Sequence, residues 1–546
     1  MDRPMKMPII LASLLGAAIA SAQPGVPPTD EDGNASSSSS DDDLIPTTAD
    51  AKAMLPIRLE DLIIVAVRLS PDLARARVDR TQAFHSAAAA QHSQAWTLTA
   101  NVSGNQLRTG DQVEVPLYSI VEQDTLSAAI GIGRNLPTGG TFTLNFNTQQ
   151  QHTEYALNDT VIQSAEMGMG SAGMPTMSPQ EEAVNGQTSL GVTIKQPLMR
   201  GLGSIATIEI DKAELQATEA TVKAQLAAED LIKDIVTAYW ELAFSTYEVD
   251  VRIQALDLAK KQEDLTHEQI RAGLAQPPAL NPVQYELMTR QDDELQSEND
   301  MEKKSMELRQ KAGLDLKDRH DVVLHPSDPF EVSGDDEFDL GQLLEKSRTT
   351  NRKLATVAIE ERLADLDVKQ AADATKPQMD LQVSAAAVGT GESLADSFSS
   401  VGSLDGYQIT GSLNMSFELS GAAKRGRDAA EAKRRRINVD RADTLRQIES
   451  QTTLAYKQVQ TAKTRVELGK KAMEISEENV RATRLQFIAG KEDNFKVLAR
   501  QKDLTEARLK YGRAIADYHI AVAQLQYLSG FLLQQYGIDV RTHQRG

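Results

Sequence analysis

Two similar stretches, one near the start of each half of the chain, decide how this sequence folds. Residues 58–75 read RLEDLIIVAVRLSPDLAR, and residues 339–356 read DLGQLLEKSRTTNRKLAT. They align without a gap at an offset of 354 − 73 = 281 positions. The alignment pairs Leu59 with Leu340, Leu62 with Leu343 and Leu73 with Leu354. A leucine pattern that returns at one fixed offset indicates an internal duplication.

A second set of matches lies further along each half. Ala238-Tyr239 corresponds to Ala455-Tyr456 at an offset of 455 − 238 = 217, and Ala272-Gly273 corresponds to Ala489-Gly490 at the same offset. The offset is shorter than 281 because the first half has the longer middle. Since the matches follow one another in the same order in both halves, the sequence predicts two structural repeats.

The remaining boundaries follow from composition. A weakly basic start, an apolar run and the small residues Ala20-Ser21-Ala22 are typical of an export signal with its cleavage site. The stretch after it is rich in Ser, Asp and Pro, which predicts a disordered leader. The predicted segments are a signal peptide at 1–22, the leader at 23–57, a first repeat at 58–315, a linker at 316–337, a second repeat at 338–531 and a C-terminal tail at 532–546.

Each repeat contains a long segment with coiled-coil spacing. In the second repeat, small or apolar residues recur at alternating steps of three and four, which places them along one seam of a helix. These are Leu445, Ile448, Thr452, Ala455, Val459, Ala462 and Val466, and their partners in the first repeat are Ala228, Leu231, Ile235, Ala238, Leu242, Ser245 and Val249. A helix over 440–488 would be roughly 70 Å long, at about 1.5 Å per residue.

Other segments alternate apolar and polar residues with the period of two that is typical of strands. They lie at 96–103, 141–147, 190–196, 378–384 and 409–419. In a porin-like wall, one face of such strands meets lipid and the other meets a wet lumen. Because lumen width grows with strand number, a chain with so few strands needs further copies to close a β-barrel.

Composition excludes several function classes. The formal net charge of −20 argues against nucleic-acid binding, which requires clustered Lys and Arg. The absence of cysteine excludes disulfides and thiol chemistry. Gly168, Gly170 and Gly173 have the spacing of a dinucleotide fingerprint, but they lie in a Met- and Ser-rich loop without the strand and helix that such a site needs. We therefore predict no catalytic residues, no cofactor and no metal site.

Together these motifs resemble the TolC outer-membrane efflux family over nearly all of residues 58–532. The most specific features are Ser70-Pro71-Asp72-Leu73, the segment from Gln196 to Gly201, Ala238-Tyr239-Trp240 and the two Ala-Gly turns. In that family, three protomers form a shared barrel in the outer membrane and a helical tunnel across the periplasm. The resemblance implies an α+β fold with a TolC-like outer-membrane β-barrel and a long periplasmic α-helical coiled-coil tunnel, built from two internal repeats and shared by a homotrimer.

The resemblance also places the parts of the chain. The implied barrel strands are 96–106, 190–198, 377–387 and 409–419, four per protomer and twelve in the trimer, with exterior loops at 148–186 and 388–405. The implied junction between barrel and helices is marked by Gln196, Pro197, Gly201, Pro377 and Gly421. Ala272, Gly273, Leu274, Ala489, Gly490 and Lys491 are the implied tips, where the family's periplasmic adaptor (membrane fusion) proteins dock.

This sequence departs from the family pattern in two places. An additional hairpin, 127–133 and 141–148 around a Pro- and Gly-containing turn, either enlarges the barrel or lies outside its wall. Drug-efflux members close the tunnel with aspartates in an Asp-Val-Leu-Asp pattern, but this chain reads Lys496-Val497-Leu498-Ala499. Glu492 and Asp493, just before that segment, are candidate gate residues or, equally, acids that cap a hairpin turn.

The function implied is a passive export duct in an outer membrane, extending into the periplasm of a Gram-negative-type bacterium. Its expected partners are outer-membrane lipid, a periplasmic adaptor and an inner-membrane pump, in a tripartite efflux or type I secretion system. The alternative is a soluble periplasmic coiled-coil scaffold protein with small β caps. An enzyme is not expected, because no set of acid, base and nucleophile is evident.

Overall fold

The computed structural model describes residues 54–108, 118–157, 180–314, 322–332, 337–404 and 406–538. The predicted signal peptide, most of the predicted leader and the end of the predicted tail lie outside the described residues. Within them, helices and strands combine in the predicted α+β fold.

The helices in the described part of the chain fall into two sets that follow the predicted repeats. The first set is α1 (Leu59–Leu69), α2 (Pro71–Gln91), α3 (Ile208–Arg271) and α4 (Asn281–Ala312). The second set is α5 (Leu340–Thr350), α6 (Arg352–Ala374), α7 (Leu394–Ser403), α8 (Ala422–Ile488), α9 (Asn494–Leu528) and the short α10 (Leu532–Gln535).

The strands form two sheets. The strands are β1 (Met54–Ile57), β2 (Thr97–Arg108), β3 (Tyr118–Asn135), β4 (Thr141–Leu157), β5 (Gln180–Pro197), β6 (Val323–Pro326), β7 (Gln378–Gly391) and β8 (Tyr407–Ser416). Six of them form an antiparallel sheet in the order β2-β3-β4-β5-β7-β8, which we call the main sheet. The additional hairpin is therefore inside this sheet, which has six strands in the described part of the chain where the family pattern implied four.

The long helices follow the heptad pattern. All seven predicted seam positions of α3 are buried, and so are Ile448, Thr452, Ala455, Val459 and Ala462 of α8. Small residues allow close approach: Gly512 of α9 lies so near Tyr247 of α3 that an added Cβ would be 2.4 Å from the tyrosine ring. The coiled-coil packing predicted from the sequence is the packing observed.

The core lies between the helices. Leu62 and Ile63 of α1 and Leu73 of α2 are fully buried in one hydrophobic cluster that also contains Ile232 and Leu242 of α3. The short α10 adds buried Leu532 and Leu533 to the same core, although the sequence placed it in a tail. None of the helices in the described ranges combines the length and the apolar character needed to cross a bilayer.

Three segments differ from their sequence-based description. Residues 54–57, assigned to the disordered leader, form β1 and pair in parallel with β6, a strand within the predicted linker. The implied exterior loop at 148–186 is shorter, because β4 extends to Leu157 and β5 begins at Gln180. The loop at 388–405 contains α7, which packs on the main sheet through contact of Phe398 with Phe146. Backbone pairing and apolar contacts thus extend the ordered elements beyond the predicted bounds.

Candidate functional site

The main sheet has one apolar and one polar face across all six strands. Cross-strand pairing joins the apolar residues into rows that run from β2 to β8. One such row is Leu98, Ile132, Leu144, Val192, Ala385 and Ile409. Because side chains alternate along a strand, the next row lies on the opposite face and consists of Thr97, Gly133, Thr143, Thr193, Ser384 and Thr410.

The apolar rows form a band of limited height that crosses the strands obliquely. On β8 the band continues toward the helices through Leu413 and Met415, both half exposed. At the same height on the other side of the sheet, the chain has not yet entered β2 and forms the turn His92–Gln94. Toward the loops, the same face becomes polar, with Arg108 bonded to Glu122 at 3.1 Å. An oblique apolar band is the pattern of tilted strands in a membrane wall.

Both edges of the main sheet are open. Within the described residues, β2 and β8 each pair with one strand only. All 12 residues of β2 are exposed, and Tyr407 and Ile409 of β8 are 78% and 70% exposed. β2 and β8 run in opposite directions, so β2 of one copy can continue the antiparallel ladder from β8 of another. Long open edges require cover, and a second copy offers it.

The junction between β5 and α3 brings together several predicted residues. The Gln196 side chain accepts a hydrogen bond from Thr138 Oγ1 at 2.8 Å and donates one to the Thr138 carbonyl at 3.2 Å. Gly201 has a φ of +84°, and its N–H donates to Asp373 Oδ2 at 2.7 Å. Asp373 is 4% exposed and also binds Lys376. Gln196 and Gly201 therefore connect the strand to α6 and to the additional hairpin.

The other junction residues lie at the second repeat. Pro377 directly precedes β7, and Gly421 begins α8 with a φ of +70°. Glu418 accepts from the backbone N–H of Ala423 at 3.0 Å, so an acidic side chain satisfies a free donor of the helix start. Sequence reasoning missed Thr138, Asp373 and Glu418. Thr138 and Asp373 bind partners 58 and 172 residues away, which no local pattern marks. Glu418 binds a backbone N–H only five residues further on, so its position just before a helix start was a usable signal.

The two predicted tips have the same hydrogen-bond geometry. After α3, Gly273 has a φ of +71°, and the Leu274 N–H donates to the Gln269 carbonyl at 2.9 Å. After α8, Gly490 has a φ of +69°, and the Lys491 N–H donates to the Gln486 carbonyl at 2.9 Å. Both are helix ends of the Schellman type, in which glycine supplies the left-handed residue. The preceding alanines, Ala272 and Ala489, are the C-cap residues.

A polar cluster holds the two tips side by side. Asn494, 7% exposed, accepts from the fully buried Gln262 at 2.7 Å and from Thr266 at 3.3 Å. Its own amide donates to the Ala279 carbonyl at 3.2 Å. Gln269 donates to the Phe487 carbonyl at 3.2 Å. Asn494 directly follows the candidate gate acids, but its role was not apparent from the sequence because its partners lie more than 200 residues away.

The outer surface of the tips is apolar and exposed. Leu274 is 78% exposed, and Tyr285 of α4 and Phe495 of α9 are 74% and 69% exposed. Tyr285 and Phe495 line a shallow pocket together with Leu498 and Lys502. Exposed aromatic residues grouped at one end of a helical bundle are typical of a protein-binding surface.

The candidate gate acids already have local partners. Asp493 is the N-cap of α9 and accepts from the Lys496 N–H at 3.0 Å. Glu492 forms an ion pair with the Lys496 ammonium at 2.5 Å. Through these contacts both acids stabilise the start of α9. The assignment of Glu492 and Asp493 to a gate stays a prediction.

The Ala-Tyr-Trp motif lies where the helices meet the two-stranded sheet of β1 and β6. Tyr239 is fully buried, and its hydroxyl donates to Asp328 at 2.6 Å. Burial, followed by this hydrogen bond, raises the pKa of Tyr239. Trp240 stacks on His519 of α9, with ring centroids 3.7 Å apart and planes within 4°. The motif therefore joins α3 to α9 and to the segment after β6.

One buried ion pair connects the two repeats. Glu229 of α3 is 1% exposed and binds Arg352, the first residue of α6. Burial, which outweighs the attraction of Arg352, raises the pKa of Glu229 to about 7. Among the described residues, no group of His, Asp or Glu is arranged to hold a metal ion. The features brought together by the structure are the two faces and open edges of the main sheet and the two tips.

Residues 343–530 match the family model described as outer membrane efflux protein. The solved structures that resemble this chain include VceC, an outer membrane protein of Vibrio cholerae, with 15% identity, a TM-score of 0.62, and coverage of 86% of this chain and 96% of VceC. The outer membrane channel CmeC of Campylobacter jejuni has 12% identity and a TM-score of 0.62, covering 87% and 86% of the two chains.

The open state of the outer membrane channel MtrE of Neisseria gonorrhoeae has 14% identity and a TM-score of 0.60, covering 87% of this chain and 89% of MtrE. The comparison with curated proteins finds no match. At these identities the structures establish the fold alone. Together with the family match over residues 343–530, they support the resemblance inferred from the sequence.

Proposed function

We propose that this TolC-like outer membrane efflux protein works as a passive export duct, in which three copies pool their main sheets into one barrel. The long helices of the three copies would form a conduit through the periplasm. The tips would bind a periplasmic adaptor that carries an inner-membrane pump. Energy and cargo choice would come from that pump.

The observation that carries this proposal is the main sheet with two contrasting faces and two open edges. Among the described residues, the apolar row through Leu144 and Val192 meets no second sheet, and Leu190 and Ile194 beside it are 44% exposed. The α7 helix covers this face only toward the loops, where Phe398 contacts Phe146. Exposed apolar rows are costly in water, at about 25 cal/mol per Å², and lipid removes this cost. The polar row through Thr143 and Thr193 suits a wet lumen. Closure across β2 and β8 requires further copies.

The helices supply a second argument for several copies. α8 carries exposed Leu454, Leu468 and Ile475, at 56%, 61% and 63%. On α4, Met288 and Leu295 are 67% and 65% exposed. Leu468 and Ile475 are seven residues apart, as are Met288 and Leu295, and Leu454 precedes Leu468 by fourteen. Large apolar residues spaced by multiples of seven are typical of a helix seam that packs on another helix. Neighbouring copies would cover these seams.

The proposal is tested by conductance of the full-length protein in a planar lipid bilayer. We expect discrete conductance steps from a species whose mass is that of a trimer. The Asn494→Ala variant should conduct more than wild type, because it breaks the cluster that holds the tips together. Asn438 is an exposed asparagine of α8, and Asn438→Ala is the matched control. A monomeric protein that never conducts and stays out of lipid would overturn the proposal.

The docking role of the tips is tested separately in cells. Gly273 and Gly490 have open space where a Cβ would lie, and Asn accepts their left-handed conformation better than other residues. The double variant Gly273→Asn with Gly490→Asn should therefore keep the trimer and lose export of a fluorescent efflux substrate. Gly203, with a φ of +71° and equally open surroundings, is the control at the sheet end of α3. Unchanged export from the double variant would contradict docking at the tips.

A further inference from the structure

The hairpin of β3 and β4 has no counterpart in the second repeat. The first repeat contributes β2, β3, β4 and β5 to the main sheet, whereas the second contributes β7 and β8. The hairpin strands are 18 and 17 residues long, against 12 for β2 and 10 for β8. It is therefore a substantial addition, and its location decides the size of any barrel.

The faces of the hairpin match the faces of the strands beside it. Leu144 and Phe146 of β4 pair with Val192 and Leu190 of β5 on the apolar side. The same apolar rows continue into β3 through Ile132. A hairpin lying outside the wall would have no reason to keep this register, because a shift by one residue would exchange its two faces.

The turn of the hairpin is fixed to the junction of sheet and helices. Besides the contacts of Thr138 with Gln196, the Gly203 N–H donates to the Thr138 carbonyl at 3.3 Å. Gly139 has a φ of +89°, and a Cβ added there would lie 2.2 Å from the Gly201 carbonyl oxygen. Only a residue without a side chain fits such a contact.

The end of β3, where the hairpin turn begins, binds the turn His92–Gln94 that precedes β2. Arg134 Nε donates to the Gln94 carbonyl at 2.9 Å, and Asn135 donates to the Ser93 carbonyl at 3.0 Å. Arg134 also lies over the ring of Trp96, 5.8 Å from its centroid, and Trp96 contacts Phe142 edge to face. The hairpin is thus attached on both sides to the parts that carry the neighbouring strands.

We propose that the β3–β4 hairpin is a wall element that widens the outer-membrane exit for bulky hydrated cargo. The proposal rests on the trimeric duct proposed above. Three copies of six strands give eighteen, against twelve for four strands each, so the barrel circumference is about 1.5 times larger. Walls of this strand number leave a wide aqueous channel, whereas eight-stranded barrels are filled by side chains.

The hairpin also determines the chemistry of the exit. Its polar face within the membrane band carries Ser127, Thr143, Asn145, Asn147 and Gln149, all uncharged. Such a lining hydrates cargo without attracting or repelling ions. The hairpin therefore selects by size, and the expected cargo class is large, hydrated solutes of either charge.

Four single-cysteine variants test the inference, since the native chain has no cysteine. Thr143→Cys and Leu144→Cys probe the two faces of the hairpin. Thr193→Cys and Val192→Cys are the paired positions on β5, and so are the matched controls. The probe is a small membrane-impermeant maleimide added to intact cells. We expect the probe to label Thr143→Cys and Thr193→Cys on the polar face. It should not label Leu144→Cys and Val192→Cys on the apolar face.

The pattern of labelling separates the two proposals. Labelling of Thr193→Cys but not Thr143→Cys, or equal labelling of Thr143→Cys and Leu144→Cys, would overturn the wall position of the hairpin and leave the duct intact. If Thr193→Cys and Val192→Cys were labelled alike, the duct itself would fail.

Width is tested with polymer-linked maleimides of increasing size on the Thr193→Cys variant. Removal of residues 109–157 joins β2 to the segment before β5 and keeps the antiparallel order. We expect the largest polymer that reaches Thr193→Cys to be smaller in this deletion variant than in the full chain. An unchanged size limit in a deletion variant that still forms trimers would contradict widening. If the deletion variant does not assemble, the four cysteine variants still decide the wall position.

Discussion

The two repeats are similar in their helices but differ in their contribution to the main sheet. Corresponding helices have nearly equal lengths: α3 and α8 have 64 and 67 residues, α4 and α9 have 32 and 35, and α1 and α5 have 11 each. The sheet does not, since four strands come from the first repeat and two from the second.

The difference follows from how each part is packed. In the coiled-coil region most seam residues are buried between helices, so an added turn would displace a whole row of contacts. A sheet can accept a hairpin between two strands because each strand of the hairpin pairs with one of the two strands that it separates. Here β3 pairs with β2, and β4 pairs with β5. An even number of added strands also preserves the antiparallel order. The sheet is therefore the part of this fold in which size can change.

The largest effect on stability is expected where the turn of the hairpin contacts the junction between β5 and α3. Gly139→Ala introduces a Cβ 2.2 Å from the Gly201 carbonyl and requires a left-handed alanine. We expect a loss of roughly 2–5 kcal/mol in the free energy of unfolding. The measurement is the melting temperature of the purified protein in detergent. Gly104→Ala, at a strand glycine with open space around it, is the control and should melt like wild type.

A smaller effect is expected in the helical part. Gly512→Ala places a Cβ 2.4 Å from the Tyr247 ring and should destabilise by about 1–2 kcal/mol, after the helix propensity of alanine is counted. Gly426→Ala, in α8 with nothing within 4 Å, should stabilise by about 1 kcal/mol. Denaturant unfolding followed by helical circular dichroism compares the two. Equal shifts in the two variants would refute close packing of α3 on α9.

The link between the repeats predicts a pH dependence. The folded-state pKa of Glu229 is raised to about 7, above its ordinary value of 4.5, so the folded state holds the proton more tightly. The stability gained is complete below the unfolded pKa and is lost as pH rises through 7. Between pH 6 and pH 8 the free energy of unfolding should fall by about 1.4 kcal/mol. Glu229→Gln should remove this part of the pH dependence, and an unchanged slope would show that Glu229 does not titrate there.

The smallest effect separates helix capping from gating at the second tip. Asp493→Ala removes the N-cap of α9 and should cost about 1 kcal/mol, whereas Asp493→Asn keeps the cap and removes the charge. If Asp493 only caps, Asp493→Asn should leave both melting temperature and bilayer conductance unchanged. A cation selectivity that falls in Asp493→Asn would instead support an anionic gate.

The sequence predicted the parts of the fold that repeat. The seam from Ala228 to Val249 was evident because its spacing is regular and recurs in the second repeat. The strand alternation was equally clear, since the apolar residues Ile409 and Leu413 are flanked by polar residues in the sequence. These patterns are local, and local periodicity determines which face of an element is apolar.

The position of the hairpin could not be predicted in the same way. Its place in the sheet depends on Thr138 meeting Gln196, 58 residues away, and on the contact of Gly139 with Gly201. The tip cluster of Asn494 and Gln262 likewise joins residues that are 232 positions apart. No local pattern marks such partners, and β1 was missed because its pairing strand lies beyond the whole first repeat.

The most direct test of the account is an electron cryomicroscopy map of the full-length protein in a lipid bilayer disc. We expect three copies around one axis, with β2 of each copy paired to β8 of the next and eighteen strands around the lumen. A map with single chains whose β2 and β8 edges remain open, or with twelve strands and the hairpin outside the wall, would contradict it.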